Sequence, residues 1–295
     1  MLSDMARIAI IGGGSIGEAL LSGLLRAGRQ VKDLVVAERM PERAKYLADT
    51  YSVRLASVGG AVDNATFIVV AVKPADVESV MAELARATAA AESDTAEQVF
   101  VTVAAGITLT YVESKLPAGT PVVRAMPNTA ALVGAGVTAL AKGRFVTDQQ
   151  LDEVSALFDA VGGVLTVPEA QMDAVTAVSG SGPAYFFLMV EALVDAGVAV
   201  GLSRDVAADL TAQTMAGSAA MLLERMDQNR RSADATQPGL QADATAAQLR
   251  ATVTSPGGTT AAALRELERG GLRMAVDAAV QAAKRRSEQL RITSE

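Results

Sequence analysis

Six residues near the start of the chain have the types and spacing that hold a phosphate group. They are Gly12-Gly13-Gly14-Ser15-Ile16-Gly17, and they fit the pattern G-x-G-x-x-G. The apolar run Arg7–Ile11 precedes them and an amphipathic stretch follows, as a strand and a helix would. Glycines permit a tight turn, and a helix N-terminus offers free N–H groups to a pyrophosphate. The sequence therefore predicts a dinucleotide site, with a glycine-rich turn without a ligand as the alternative.

The pair Glu38-Arg39 stands where a residue would contact the adenosine ribose of that dinucleotide. Glu38 lies 21 residues beyond Gly17 (38 − 17), at the end of the second apolar run. A carboxylate there accepts hydrogen bonds from a free 2′-hydroxyl and repels a 2′-phosphate, whereas a guanidinium pairs with that phosphate. The two neighbours favour opposite cofactors, so we expect NADH to be accepted and leave NADPH open. The alternative for Glu38 is a solvated acid at a strand end.

Two further segments offer groups to anions. Ala71-Val72-Lys73-Pro74 ends another apolar run, and Pro74 stops that strand at the carboxyl edge of a sheet, where open α/β folds bind ligands. Lys73 would then meet an anionic cofactor, unless it is only a solvated lysine. Thr254–Thr260 combines hydroxyls, two glycines and the start of a helical pattern, which suits a carboxylate. Ordinary turn and N-cap chemistry is an equal alternative for this second turn.

The composition excludes several classes of chemistry. With no Cys and no His, the chain forms no disulfide, no Cys-ligated zinc site and no Ser–His–Asp triad. Reactions must use a cofactor, carboxylates, hydroxyls, Lys or Arg, and no metal site is predicted. A net charge of −7 and only 3% aromatic residues argue against binding to nucleic acid or to an anionic membrane surface. No secretory signal is visible in Met1–Ala6, so a cytoplasmic location is expected.

The first half of the chain alternates short β-branched runs with amphipathic stretches. Apolar strands separated by helices predict an open α/β sheet whose parallel strands are covered on both faces. The predicted strands are Arg7–Ile11, Leu34–Ala37, Phe67–Val72, Val99–Val103 and Val122–Ala125. The predicted helices between them are Ser15–Ala27, Glu42–Asp49 and Ala75–Thr88.

The second half carries no strand signal after about Pro168. The predicted helices are Glu169–Val178, Pro183–Val200, Ser203–Met226, Thr259–Arg269 and Leu272–Leu290, with Gly270-Gly271 as a stop between the last two. The change in periodicity places the domain boundary near residue 165, with a dinucleotide-binding domain over 1–165 and a helical domain over 166–295.

Three stretches of the helical half are singled out by composition. Small residues such as Ala216–Ala220 let helix backbones approach closely, which suggests a subunit interface, with a monomeric core as the alternative. Ala184–Leu202 is apolar but contains Glu191 and Asp195, so it is predicted to be a buried helix of a soluble protein. Asp227–Asp243 is polar without periodicity and is predicted to be a surface loop or a short helical extension.

Taken in order, six motifs resemble those of the pyrroline-5-carboxylate reductase family. They are Gly12–Gly17, Ala71–Pro74, Ala104-Ala105-Gly106, Arg124-Ala125-Met126-Pro127-Asn128, Ser179-Gly180-Ser181-Gly182-Pro183-Ala184-Tyr185 and Thr254–Thr260. The resemblance runs over nearly the whole chain, and the last two motifs are the most specific. It implies a Rossmann domain joined to an all-α dimerisation domain, and an obligate homodimer that often assembles into decamers. It also implies reduction of the cyclic imine of 1-pyrroline-5-carboxylate to L-proline, with NADPH or NADH as the hydride donor.

The resemblance also assigns residues to the site. Cofactor contacts carried over from the family fall on Ile11–Ile16, Arg39, Ala71–Pro74 and Ala104-Ala105, with Asn128 near the nicotinamide end. Glu169, Ser255, Gly258, Thr259 and Thr260 would line the substrate pocket. We expect Thr260 to bond the ring nitrogen, and Ser255 with the N–H groups of Gly258 and Thr259 to hold the carboxylate. Without the resemblance, Glu169 would be interpreted only as an acid that the dipole of a helix favours in its first turn. For the proton on the ring nitrogen, water is an equal alternative source.

The chain departs from the family at three places. Val58 stands where Asn is common, Thr245-Ala246 where His-Pro is common, and Thr252 replaces a polar residue that reaches the cofactor.

Two other functions are alternatives to the reductase. A β-hydroxyacid-type dehydrogenase would need a catalytic Lys on an interdomain helix, yet no Lys occurs between Phe145 and Lys284. A non-catalytic nicotinamide sensor would have no reason to keep the second glycine-rich turn.

Overall fold

The computed structural model describes residues 6–90, 98–232 and 245–292 of the chain. Its contacts divide the chain into two compact units, Met1–Pro183 with Val280–Glu295, and Ala184–Ala279. This division differs from the predicted boundary near residue 165. Residues 166–183 stay with the sheet, because Met172 is fully buried in the core beneath it and Glu169 is bonded to Leu109.

The first unit is built on an eight-stranded sheet with the order β3-β2-β1-β4-β5-β6-β7-β8. The strands are β1 (Ile8–Ile11), β2 (Leu34–Ala37), β3 (Arg54–Leu55), β4 (Phe67–Val70), β5 (Val99–Thr102), β6 (Val122–Met126), β7 (Gly136–Lys142) and β8 (Gly162–Thr166). The pairs from β3 to β6 are all parallel, β7 runs antiparallel to β6, and β8 is parallel to β7. The strand order reverses between β1 and β4, so the predicted Rossmann-type sheet is confirmed.

The α-helices are α1 (Ser15–Arg26), α2 (Pro41–Tyr51), α3 (Val58–Val62), α4 (Val77–Ala90), α5 (Leu109–Lys115), α6 (Asp148–Asp159), α7 (Met172–Val175), α8 (Gly182–Ala199), α9 (Arg204–Ser232), α10 (Thr245–Thr252), α11 (Thr259–Arg269) and α12 (Leu272–Gln289). The predicted helices are confirmed within about two residues at each end, with two exceptions. α9 extends beyond the predicted end at Met226 to Ser232, and of the predicted helix Glu169–Val178 only Met172–Val175 is α-helical, between a 3-10 turn and a π turn. The polar stretch 227–243 contributes its first residues to α9, and residues 233–243 lie outside the described ranges.

Helices cover the sheet on both faces, which is why its central strands are apolar at every position. In β1, Ile8 and Ile10 face one core cluster while Ala9 and Ile11 face the other, and all four are buried. Side chains alternate between the two faces of a strand, so a run without polar residues is what a doubly covered sheet requires. Burying one such aliphatic side chain contributes about 1.5–3 kcal/mol.

Three strands, β3, β7 and β8, were not predicted. β3 has only two residues, and both are exposed. β8 is the far edge strand of the sheet and begins with Gly162, whose φ of +143° lets it pack against the backbone of Gly136 in β7. Glycine weakens the strand pattern because it has no side chain to pack, so the sequence signal is lost where the two backbones meet.

The second unit is helical in its described residues. α9 begins after Ser203, whose hydroxyl accepts a long hydrogen bond (3.4 Å) from the N–H of Val206, as the side chain of an N-cap residue does. α11 and α12 are separated by Gly270-Gly271, and Gly271 has the positive φ of +77° expected at such a stop. Over residues 169–232 and 245–292 the structure has helices and no strand, as predicted, apart from one isolated bridge between Ile107 and Ile292 in the first unit.

Candidate active site

The glycine-rich turn joins β1 to α1 at the carboxyl end of β1. Gly12 has φ +103°, and a Cβ at this position would stand 2.7 Å from the carbonyl oxygen of Ala71. At Gly14 nothing lies within 4 Å of the corresponding Cβ position. The N–H groups in the first turn of α1 have no intrahelical acceptors. The turn is therefore closed at Gly12 and open at Gly14, and this cradle fits the pyrophosphate of a dinucleotide.

Glu38 lies at the carboxyl end of β2, and both of its carboxylate oxygens are held by the backbone. Oε2 accepts a hydrogen bond from the N–H of Gly13 (2.8 Å), and Oε1 accepts one from the N–H of Met40 (2.8 Å). The carboxylate is therefore fixed beside the glycine-rich turn, and a solvated strand-end acid does not describe it.

A cluster that sequence reasoning missed holds the same turn from its other side. The guanidinium of Arg43 donates to the carbonyl oxygen of Gly13 (2.7 Å) and forms an ion pair with Glu18. Tyr46 and Tyr51 donate to Glu18 at 3.1 and 2.8 Å. Burial alone would raise the pKa of Glu18, but hydrogen bonds from Arg43 and Tyr51 lower it. Burial and the neighbouring Glu18 raise the pKa of Tyr51 to about 12.

Arg39 and Lys73 both extend from the carboxyl edge of the sheet. Arg39 is 74% exposed and pairs with Asp76 at 2.9 Å, which connects the second residue after β2 to the short turn after β4. Lys73 is exposed, and Pro74 begins that short turn. An anionic cofactor can thus reach both cations, although Arg39 already has a carboxylate partner.

The remaining predicted cofactor residues follow β5 and β6. Ala104 and Ala105 lie just beyond β5, ahead of Gly106 with its φ of +77°. Asn128 follows β6, and its side-chain oxygen accepts from the N–H of Val137 at 3.3 Å, which leaves its NH₂ group available to a ligand. Because β1, β4, β5 and β6 are successive parallel neighbours, the predicted cofactor residues are brought together along one edge of the sheet.

Glu169 has contacts within the first unit that the sequence did not predict. Its Oε1 accepts from the N–H of Leu109 at the start of α5 (2.6 Å) and from the guanidinium of Arg124 (3.3 Å). Arg124 is 3% exposed, and its Nη2 has no hydrogen-bond partner. Glu169 therefore neutralises a buried arginine and the N-terminal end of a helix, and only Oε2 is left for any substrate.

Beside this pair, Asp173 is buried with 2% exposure and is held by the end of the chain. Ser287 donates to its Oδ1 (2.6 Å), and the guanidinium of Arg291 forms an ion pair with Oδ2. Burial alone would raise the pKa of Asp173, but the hydrogen bonds from Ser287 and Arg291, together with the charges of Arg291 and Arg124, lower it. Asp173 is therefore ionised in the folded protein at neutral pH.

The second glycine-rich turn lies in the second unit and leads into α11. Gly257 has φ +70°, and Gly258 takes the N-cap position. The N–H of Gly258 already donates to the carbonyl oxygen of Ser255 at 3.1 Å, so it is not free for a substrate carboxylate. The N–H groups of Thr259 and Thr260, in the first turn of α11, remain unused within the helix. An anion at this turn would be held by these groups and the exposed Ser255 hydroxyl.

The second unit also exposes a large apolar surface. Phe186, Phe187 and Leu188 of α8 are 62%, 60% and 67% exposed, so the prediction of a buried helix is wrong within this chain. The helical stretch Glu169–Ala199 is long and apolar enough to cross a membrane, and 17% of its most apolar 18-residue part is buried. An apolar surface of this size marks an interface or a membrane contact.

Within the described ranges, no group of three or more carboxylates lies close enough together to hold a metal ion.

Comparison with known proteins identifies the regions that carry this surface and the glycine-rich turn. Residues 169–290 match the family model for pyrroline-5-carboxylate reductase dimerisation, and residues 7–106 match the model for NADP oxidoreductases, coenzyme F420-dependent. The apolar helices thus belong to a dimerisation region, and the protein is a homo-oligomer. The N-terminal match ends at Gly106 and covers the turn after β1.

Curated relatives and solved structures agree with these matches. The pyrroline-5-carboxylate reductase of Mycobacterium tuberculosis is 82% identical over 295 residues, which is 100% of both chains, and that of Corynebacterium melassecola is 42% identical, covering 97% of this chain and 99% of the relative. The structure of a pyrroline-5-carboxylate reductase from Coxiella burnetii has a TM-score of 0.85 at 33% identity, covering 98% of this chain and 100% of that one. That of Plasmodium falciparum pyrroline carboxylate reductase with NADP bound has a TM-score of 0.78 at 28% identity, covering 97% and 98%. The chain belongs to the pyrroline-5-carboxylate reductase family.

Proposed function

We propose that this protein reduces the cyclic imine of 1-pyrroline-5-carboxylate to L-proline with NADPH or NADH, in the cytoplasm, as the last step of proline biosynthesis. The observation that carries the proposal is the 82% identity, over the full length of both chains, to a pyrroline-5-carboxylate reductase. The cradle at Gly12–Gly14 supports it, because a reductase of this kind must bind a dinucleotide. The β-hydroxyacid dehydrogenase and the sensor are not favoured by any comparison.

The first unit would bind the cofactor. The turn Gly12–Gly14 and the N-terminus of α1 hold the pyrophosphate, while Glu38 and Arg39 face the adenosine ribose. Lys73 would meet the anionic cofactor, and Asn128, which follows β6, would lie near the nicotinamide end. Ala104-Ala105 follow β5, the strand next to β6, so they would contact the cofactor close to that end. When bound, the reduced nicotinamide supplies a hydride to the imine carbon.

The second glycine-rich turn would bind the substrate. The N–H groups of Thr259 and Thr260 and the hydroxyl of Ser255 hold the carboxylate, and Gly258 shapes the turn without donating. The hydroxyl of Thr260 bonds the ring nitrogen, where a proton must be held at the end of the reaction. Glu169 contributes only through Oε2, since its Oε1 is bonded to Leu109 and Arg124.

The first experiment mixes the purified protein with 1-pyrroline-5-carboxylate and either NADH or NADPH, and follows the loss of the reduced nicotinamide. Consumption matched by proline formation supports the reaction. Folded protein that binds the nucleotide without consuming it would replace the proposal with the sensor function.

The role of Thr260 is tested by Thr260→Val, which removes the hydroxyl and keeps the shape. We expect kcat/KM for the imine to fall about 10- to 100-fold, the equivalent of one hydrogen bond to a charged group. Thr50→Val, on the exposed face of α2, is the matched control and should leave kcat/KM unchanged. Equal rates for both variants would remove Thr260 from the mechanism and leave water as the proton source.

The cofactor preference is tested by Glu38→Gln. Loss of the negative charge should raise the rate with NADPH relative to NADH, because the fixed carboxylate no longer repels the 2′-phosphate. Glu42→Gln, on the exposed first turn of α2, is the control. An unchanged ratio would mean that Glu38 only supports the turn and that Arg39 or Lys73 determines the preference.

The proposed assembly is a homodimer, which can assemble further into a decamer, with no nucleic-acid or membrane partner. Residues 1–165 would carry the cofactor, and residues 166–295 the dimer interface and substrate site. The exposed apolar side chains of α8 support an interface formed by copies of this chain. Sedimentation of the purified protein without detergent tests the assembly, and a stable monomer would contradict it.

A further inference from the structure

The end of the chain contacts the segment that follows β5. The N–H of Ile292 donates to the carbonyl oxygen of Gly106 at 3.0 Å, and Ile292 forms a parallel bridge with Ile107. Gly106 directly follows Ala104-Ala105, the residues that we assign to the nicotinamide end of the cofactor. Ile292 is thus attached to the backbone of a cofactor-binding segment.

This contact leaves no room for a side chain. A Cβ at Gly106 would stand 2.6 Å from the carbonyl oxygen of Leu290, and the φ of +77° already disfavours any other residue. Ile107 is completely buried and Ala104 is 4% exposed, so the segment cannot shift without disturbing the core beneath it. The position of residues 290–292 and that of the segment therefore depend on each other.

The end of the chain is itself anchored in the first unit. Ser287 and Arg291 both bond Asp173, which is buried next to Arg124. Arg124 lies in β6, the strand next to β5 in the sheet. The anchor is therefore made to the body of the sheet, while the contact is made to a segment at its carboxyl edge.

We propose that Ser287, Leu290, Arg291 and Ile292 form a C-terminal clamp that positions the segment Ala104–Gly106 against the nicotinamide half of the cofactor. The inference rests on the proposed function, because that function places the nicotinamide at this segment. The clamp acts through the backbone of Gly106 and touches neither cofactor nor substrate, so its members are positioning residues. Its loss should weaken binding of the nicotinamide half and leave the adenosine half, held at the glycine-rich turn, unaffected.

The sharpest test compares Ile292→Pro with Ile292→Ala. Proline lacks the N–H that donates to Gly106, whereas alanine keeps it and removes most of the side chain. Calorimetry on the full-length protein would give the Kd of NADH and of ADP, which lacks the nicotinamide. We expect Ile292→Pro to raise the Kd of NADH about 3- to 10-fold with the Kd of ADP within twofold of wild type, and Ile292→Ala to bind both as wild type does. An unchanged Kd of NADH in Ile292→Pro, or equal weakening of both ligands, would overturn the proposal.

A second series removes the anchor. Arg291→Met should raise the KM for the dinucleotide several-fold, and Arg291→Lys, which keeps the charge, should bring the KM most of the way back to the wild-type value. Arg286→Met is the matched control, since the guanidinium of Arg286 donates to Gln289 in the same helix and its backbone bond to Leu290 is unchanged by the substitution. A purely structural role would lower the melting temperature without this change in KM and would contradict the clamp. Wild-type protein that neither binds NADH nor consumes it would instead contradict the proposed function, so the two failures are distinguishable.

Discussion

The buried carboxylate of Asp173 offers a quantitative test of the charge network beneath β6. Asp173→Asn keeps the size of the side chain but removes its negative charge. Ser287 and Arg291 donate hydrogen bonds to that carboxylate, and its charge also interacts with Arg124. Breaking a buried ion pair costs about 3–5 kcal/mol. Arg291 is 39% exposed and can return to water, so we expect a smaller loss of about 2–4 kcal/mol in the free energy of unfolding at pH 7.

The direction of the pKa shift of Asp173 determines how this loss of free energy of unfolding changes with pH. The pKa of Asp173 is lower in the folded protein than its ordinary value of 3.8, so the unfolded chain takes up the proton first as pH falls. The stabilisation is therefore complete above the unfolded pKa and is lost as pH decreases through the folded one. The difference between wild type and Asp173→Asn should be constant from about pH 8 to 5 and should shrink below about pH 3.8.

Urea unfolding at one fixed protein concentration measures this difference, because the stability of an oligomer depends on concentration. Asp152→Asn, on the exposed side of α6, is the matched control and should change the free energy of unfolding by less than about 0.5 kcal/mol. A loss below about 0.5 kcal/mol for Asp173→Asn, or a loss that does not change between pH 5 and pH 3, would refute the reasoning.

Three further predictions concern the cofactor turn and the interface. Gly12→Ala should lower the melting temperature, because its φ of +103° and the 2.7 Å approach to a carbonyl oxygen exclude a side chain. Gly14→Ala should melt like wild type but bind NADH more weakly. Calorimetry measures both effects, and equal behaviour of the two variants would contradict a turn that is closed at Gly12 and open at Gly14. Arg43→Met should raise the KM for the dinucleotide several-fold with little change in kcat, because the glycine-rich turn loses its hydrogen bond from the guanidinium at Gly13. Steady-state kinetics measure this, and an unchanged KM would mean that Arg43 contributes to stability alone. Leu188→Glu should dissociate the oligomer in sedimentation experiments. Val133→Glu, at a residue of similar exposure in the first unit, is the control and should leave the oligomer intact. Dissociation by both variants would contradict a specific role of the α8 surface in the interface.

Local signals account for the part of the fold that the sequence predicted. The strands Ile8–Ile11 and Phe67–Val70 are doubly covered and therefore apolar throughout, which makes their runs stand out. The glycine-rich turn was predictable because its conformation depends on residues next to one another in the chain. β7 and β8 lack that signal, since glycines stand where their backbones meet.

Contacts between distant residues could not be predicted. Glu18 and Arg43 are 25 residues apart, and Glu169 and Leu109 are 60 apart, so only the packing of α2 on α1, and of the segment before α7 on α5, brings them together. The burial of Ala184–Leu202 was predicted wrongly for a related reason. An apolar helix has the same composition whether its own chain or another copy covers it, and the sequence does not distinguish the two.

The clamp at the end of the chain has a consequence for how the protein folds during synthesis. Arg291 follows Asp173 by 118 residues, so at about 5–20 residues per second a ribosome adds it roughly 6–24 s later. During that interval the nascent sheet lacks the bonds that Ser287 and Arg291 make to Asp173 and the bond from Ile292 to the backbone of Gly106. The first unit therefore cannot make its last contacts until the helical region between residues 184 and 279 has been synthesised.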